Sequence, residues 1–176
     1  MVQVVISSAV DSGLFATAFG GILIAYLFIS FVPGGARGRA FNKDFLSQFS
    51  DEHMAATGTD VASGGYPDMG SGRYAEKLSY EDWYKFGLAQ RVHYNFLEQV
   101  TIVLLFLGVS GIQYPFVAGV LGLVYLVGRI IVSIGYLQGP HKRWMGNILM
   151  EPAFFALFFC AFISLYVRYS ELTEAK

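Results

Sequence analysis

Cysteine is nearly missing from this chain: Cys160 stands alone inside an apolar segment. One thiol cannot form an internal disulfide or build a cysteine metal cage. Nothing beside it in the sequence would lower its pKa, so it reads as inert filler. Charge is scarce as well. Charged residues make up 14% of the 176 residues, and they nearly cancel to a net charge of -1, which argues neither for nor against an anionic partner. There is no Gly-rich phosphate loop, no catalytic triad and no basic patch suited to nucleic acid. The three histidines are scattered, and "DEH" at 51–53 is too isolated to hold a metal. The N-terminal "MVQVVISSAVDSG" has no basic n-region, so it reads as neither a secretory signal nor a transit peptide, and the first hydrophobic segment is expected to be retained.

What is abundant is hydrocarbon. Hydrophobic residues account for 55% of the chain, with 16 phenylalanines, which is the composition of a membrane protein. A spanning helix needs roughly 20 mostly apolar residues. Four segments satisfy this, at about 13–32, 80–110, 115–137 and 148–169. The length fits one domain over residues 1–176, all-α and polytopic, built as a four-transmembrane-helix bundle. The first span has Asp11 or Ser12 available as a cap and "PGG" at 33–35 to end it. Ser79 and Asp82 have the spacing of a capping box, so the second helix is expected to start in water and enter the bilayer later. Pro115 opens the third span. Asn147 is a plausible cap for the fourth, with Pro152 near its start. Gly20–Gly21 is expected to allow a close helix approach.

The connections are unequal. "SGIQYP" and "LQGPHKRWMGN" are short, whereas residues 33–79 form a long polar, Gly/Ser-rich loop of the sort that is functional or partly disordered. The loops 33–79 and 138–147 fall on one side of the membrane. With the start of the second helix they hold Arg37, Arg39, Lys43, Arg73, Lys77, Lys85, Lys142 and Arg143; the opposite side has Arg168 and Lys176. By the positive-inside rule the basic loops face the cytosol or its equivalent in another organelle. No address signal separates an endoplasmic reticulum from a mitochondrial membrane.

Polar groups interrupt the second and third spans in a pattern. Arg91, Asn95 and Glu98 are spaced i, i+4, i+7 and share one helical face; Tyr125, Arg129, Val132 and Tyr136 share another. Each charge at the centre of a span costs about 2.5–3.5 kcal/mol on insertion scales. Such groups face a partner helix or a wet cavity rather than lipid. Two readings follow. In one, Arg91–Glu98 or Glu98–Arg129 are interhelical salt bridges that hold the bundle. In the other, the stripes form a polar ligand site in which arginines meet carboxylates and Glu98 meets an amine. Arg143, in "HKRW", is by itself a lipid-headgroup contact, and Glu151 beside that loop is placed to pair with it.

"RVHYNFLE" at 91–98, "LGLVYLVGR" at 121–129 and the following "GY" at 135–136 resemble the MAPEG family, in particular its microsomal glutathione transferases of types two and three. The resemblance implies a MAPEG-like homotrimer that binds glutathione as cosubstrate between neighbouring subunits. It implies binding roles for Arg91, Asn95, Glu98, Arg129 and Tyr136. Arg143 matches the arginine that stabilises the glutathione thiolate, and "ARGRAF" at 36–41 matches a basic patch, which implies that Arg37 binds and Arg39 assists catalysis. The implied activity is transfer of glutathione to hydrophobic electrophiles, or reduction of lipid hydroperoxides, with the apolar substrate arriving from the membrane lipids. Val132 stands where the family usually has a tyrosine, Gln99 where one branch has another, and the loop at 42–85 is longer than typical. Those departures support an alternative, a non-catalytic structural or lipid-binding subunit of a larger membrane assembly.

Overall fold

The computed structural model describes residues 9–174; the N-terminal stretch through residue 8 and Lys176, which entered the reading above, lie outside the described residues. The described chain is helical with no strand. Its helices are α1 (Ala9–Ser30), α2 (Val32–Ala40), α3 (Lys43–Ser47), α4 (Ser50–Thr57), α5 (Tyr80–Gln113), α6 (Pro115–Gln138) and α7 (Trp144–Glu174). Four stretches are long and apolar enough to cross a membrane: Ala9–Ala40, Tyr80–Gln113, Pro115–Gln138 and Pro140–Glu174. The chain is an all-α integral membrane protein with four spanning helices.

Several expected boundaries shift, each for a local reason. "PGG" does not end the first helical stretch. Pro33 lacks the N–H that α1 would need to continue, so the ladder breaks at Phe31, and the helix restarts at Val32 with the proline in its first turn. Asp11 and Ser12 lie inside α1 rather than capping it. Asn147 does not cap the fourth span either. A 3-10 turn at Pro140–Arg143 leads directly into α7 at Trp144, which leaves Asn147 helical and Pro152 in the helix interior. One half of the capping box forms: Ser79 Oγ accepts from the Asp82 amide at 3.1 Å, and donates to the Asp82 carboxylate at 2.7 Å. At 34 residues α5 is about 51 Å long against a hydrocarbon core of roughly 30 Å, so a third or more of it projects from the bilayer.

The chain forms two compact units, Met1–Phe28 with Asn95–Lys176, and Ile29–Tyr94. In the first, glycines set how closely helices approach. A Cβ on Gly128 would sit 2.6 Å from the Met150 amide nitrogen, and one on Gly146 would strike the Val132 nitrogen and the Gly128 carbonyl oxygen. These contacts are with backbone, so α6 and α7 touch main chain to main chain, as small residues permit in membrane helices. Of the pair expected to allow a close approach, Gly21 would meet only the flexible end of the Leu126 side chain, and Gly20 has nothing near its missing Cβ. Buried serines supply polar glue: Ser110 Oγ donates to Leu157 O at 3.2 Å, and Ser164 Oγ to Ser110 O at 3.4 Å.

The second unit is where the long polar loop was expected, and it is folded. Phe41, Leu46, Ala36, Ala40, Ala75, Phe86 and Ala89 form its core, with Val32, Phe45, Val61, Tyr74 and Leu78 packed around them. Two charged side chains organise it. The buried Asp68 carboxylate accepts from the amides of Gly70 (2.8 Å), Gly72 (3.0 Å) and Ala75 (2.7 Å), which gathers the glycine-rich stretch around one point. Burial pushes that carboxyl's pKa up, but the amides of Ala75, Gly70, Gly72 and Tyr74 together outweigh it and hold the pKa below the usual 3.8. The buried Arg37 donates to Gly64 O at 3.0 Å and Met69 Sδ at 3.3 Å, with its guanidinium over the rings of Tyr66 (4.2 Å), Phe86 (5.0 Å) and Phe41 (5.5 Å).

Candidate functional site

Within the first unit, three helices and one turn surround a polar cavity of about 150 Å³, lined by Asn95, Glu98, Gln99, Arg129, Val132, Arg143, Asn147, Met150 and Glu151. Each element contributes by its period. Asn95, Glu98 and Gln99 lie one turn apart on α5. Arg129 and Val132 are i, i+3 on α6, and Asn147 and Glu151 are i, i+4 on α7. The 3-10 turn delivers Arg143, and Gly135 permits it: a Cβ there would lie 2.7 Å from the Lys142 carbonyl oxygen.

Arg129 is the centre of the site. It is 2% exposed, held between a ring and a thioether. Its guanidinium carbon lies 4.5 Å over the centre of Phe96, which is itself propped edge-on by Tyr26 at 5.6 Å, and Nη1 points at Met150 Sδ from 3.6 Å. Nε and Nη2 are buried and have no hydrogen-bond partner among the described residues. A buried donor without an acceptor is unfavourable by about 1–3 kcal/mol, and more when charged. The ring face and the sulfur hold the guanidinium in place but cannot serve as good acceptors for that edge.

The remaining residues singled out from the sequence divide between the units. Asn95, Glu98, Arg129 and Arg143 are brought together in the cavity wall. Tyr125, Arg129, Val132 and Tyr136 are all buried on the one α6 face expected of them. Tyr136 is linked to the site through Arg143, whose guanidinium carbon lies 5.9 Å from the centre of its ring. The expected pairing of Glu151 with Arg143 does not form; both line the cavity, yet no ion pair joins them among the described residues. Arg143 is therefore exposed and available to a ligand. Arg37, Arg39 and Arg91 belong to the second unit. Arg39 and Arg91 are exposed there, whereas the Arg37 guanidinium is engaged by the carbonyl, the sulfur and the three rings that enclose it, a structural position rather than an open one. His93 and Cys160 are outside the cavity lining.

Sequence reasoning missed three polar lining residues, and the apolar Met150 besides. Gln99 was noted only as a missing tyrosine, Asn147 as a helix cap, and Glu151 as a partner for Arg143. The i, i+4 spacing of Asn147 and Glu151 in an apolar helix was the available signal, hidden by placing the helix start at 148.

The site can hold a small ligand that carries charges of both signs. Two guanidinium groups and two carboxylates line one cavity, with amides at Asn95, Gln99 and Asn147 between them. Groups of His, Cys, Asp and Glu able to hold a metal ion are absent among the described residues.

Over 85 residues the chain is 35% identical to Uncharacterized protein sll1147 of Synechocystis sp., a match covering 48% of this chain and 62% of that protein, so less than two thirds of the relative's length is spanned. The MAPEG family model matches residues 15–163, a stretch that holds the second and third spanning helices whole, most of the first and fourth, and every residue lining the cavity. A match across that much of the chain places it in a family: this protein belongs to the MAPEG family.

Proposed function

We propose that the protein binds glutathione in the Arg129 cavity and uses its thiolate to attack hydrophobic electrophiles or lipid hydroperoxides that reach it from the membrane. The observation that carries this reading is the buried edge of Arg129, Nε with Nη2, which lacks an acceptor among the described residues. Glutathione supplies carboxylates for arginines and an ammonium for Glu98 or Glu151. Arg143, exposed at the cavity, favours the thiolate over the thiol, since nearby positive charge lowers a thiol pKa. The thiol proton leaves to solvent and the thiolate sulfur forms a bond to the electrophilic carbon as the leaving group departs. With a hydroperoxide, sulfur attacks the terminal oxygen, the O–O bond breaks to release the alcohol, and a second glutathione reduces the sulfenic product to a disulfide with loss of water.

Cavity size supports assembly. About 150 Å³ from one chain is below the roughly 300–1,000 Å³ of small-molecule sites, so a neighbouring copy is needed to complete the walls, as in a homotrimer. The lysines and arginines of segments 33–79 and 138–147 support, by the positive-inside rule, a cytosolic or equivalent side for those segments in an endoplasmic reticulum or mitochondrial membrane.

Thiolate absorbance on adding glutathione to the purified protein in detergent tests the reading, together with conjugation of a generic aryl halide. A signal that Arg143→Ala removes supports it. No signal and no conjugation would favour the second reading, a non-catalytic lipid-binding or structural subunit. The feature that favours this second reading is Val132, which places an apolar side chain in the cavity wall where a hydroxyl would otherwise reach the ligand.

A further inference from the structure

Gln99 is not an idle replacement in this cavity. Tyr125, fully buried on α6, donates its hydroxyl to Gln99 Oε1 at 3.2 Å. With its oxygen held, the Gln99 carboxamide has a fixed direction, and its Nε2 hydrogens remain for another acceptor. Gln99 lines the same small cavity as Arg129, whose Nε and Nη2 lack partners among the described residues. Those two nitrogens form the side edge of the guanidinium, the fork that meets both oxygens of a carboxylate in parallel hydrogen bonds. A neutral carbonyl offers that fork a single oxygen; a carboxylate matches its planar, two-point geometry.

We propose that Arg129 and Gln99 form a carboxylate subsite, with Tyr125 as the positioning residue that turns the Gln99 amide toward the ligand. This deepens the glutathione reading and rests on it for the occupant, one of the two carboxylates of the tripeptide. The subsite itself is defined by its chemistry alone. Tyr125 touches no ligand; it acts by keeping Gln99 from rotating its oxygen toward the incoming anion.

The test uses the full-length protein in detergent and three probes: glutathione, two analogues that each carry one carboxylate as the amide, and glutarate, a dicarboxylate without a thiol. In the wild type, one analogue should bind about tenfold or more weaker than glutathione, as expected for a lost charge-assisted pair. Tyr125→Phe should weaken glutathione roughly three- to tenfold and shrink the gap between the two analogues, by the loss of one orienting hydrogen bond. Gln99→Glu should weaken it further, through like-charge repulsion, while Gln99→Leu falls between. A merely structural Tyr125 would lower thermal stability and leave the preference between the analogues untouched; that result overturns the proposal. So does wild-type binding of glutathione by Tyr125→Phe and Gln99→Leu. Glutarate separates this subsite from the function proposed above. If glutathione does not bind but glutarate stabilises the protein in a Gln99- and Tyr125-dependent way, the subsite stands and the glutathione reading falls. If neither probe binds, both fall.

Discussion

Replacing Arg129 with methionine should make the empty protein more stable and the ligand-bound protein less so. In the empty site Nε and Nη2 have no acceptor among the described residues, and each such donor is unfavourable by about 1–3 kcal/mol. The stack over Phe96 at 4.5 Å returns about 1–2 kcal/mol, as cation–π contacts do when desolvated. Methionine is unbranched and apolar, fills much of the same space between Phe96 and Met150, and leaves nothing unsatisfied. The balance favours the variant by about 1 kcal/mol or more, which for a chain of this size raises the unfolding midpoint by about 2–4 °C per kcal/mol. Glutathione reverses the order. At a hundred times its dissociation constant it should stabilise the wild type by about 2.7 kcal/mol and leave Arg129→Met where it was. Thermal unfolding of both proteins in one detergent, with and without glutathione, measures all four values. A variant that unfolds earlier than the wild type without ligand, or that still gains stability from glutathione, would refute the argument that this arginine is held in reserve for an anion.

Other consequences can be read from the same structure. Gly146→Ala places a Cβ against the Val132 nitrogen and the Gly128 carbonyl, so α6 and α7 must separate; a loss of about 1–3 kcal/mol in thermal unfolding, with weaker ligand binding, is expected. Cys160→Ser should leave thiolate formation and conjugation unchanged, because the side chain is outside the cavity lining. Asp68 makes the second unit acid-sensitive. Its folded pKa is below 3.8, so the stabilisation is complete above the unfolded value and is lost as pH falls through the lower, folded one. Pepsin cleavage within 33–79 should therefore rise below about pH 4 in the wild type. In Asp68→Asn it should already be high at the upper end of the range over which pepsin works, and depend less on pH. Arg37→Lys keeps the charge but loses the planar stack on Tyr66, Phe86 and Phe41, so proteolysis of the same segment should increase at neutral pH.

How much of this was legible beforehand differs by region. The four spans could be read because hydrocarbon thickness sets a length that composition must meet, and the α6 stripe could be read because a 3.6-residue period is fixed by the backbone. Helix ends were read less well. Pro33 looked like a terminator, but a proline breaks one helix and opens the next equally well, and only packing decides which. Placing the last helix at 148 rather than 144 concealed Asn147, since a residue assigned as a cap is not sought in a cavity wall, and Glu151 was read only as a partner for Arg143. The fold of 33–79 was hidden for a different reason: its organisers are single charges, Arg37 and Asp68, acting on carbonyl, sulfur and amide groups that a sequence does not bring together. Tyr125 and Gln99 are 26 residues apart on separate helices, and their hydrogen bond exists only because α5 and α6 pack.

The most direct measurement of the central claim is equilibrium binding of glutathione to the purified full-length protein, compared with Arg129→Met. The account predicts saturable binding, one glutathione per protomer, that the substitution abolishes. Absence of binding to the wild type, or equal binding to both, would contradict it.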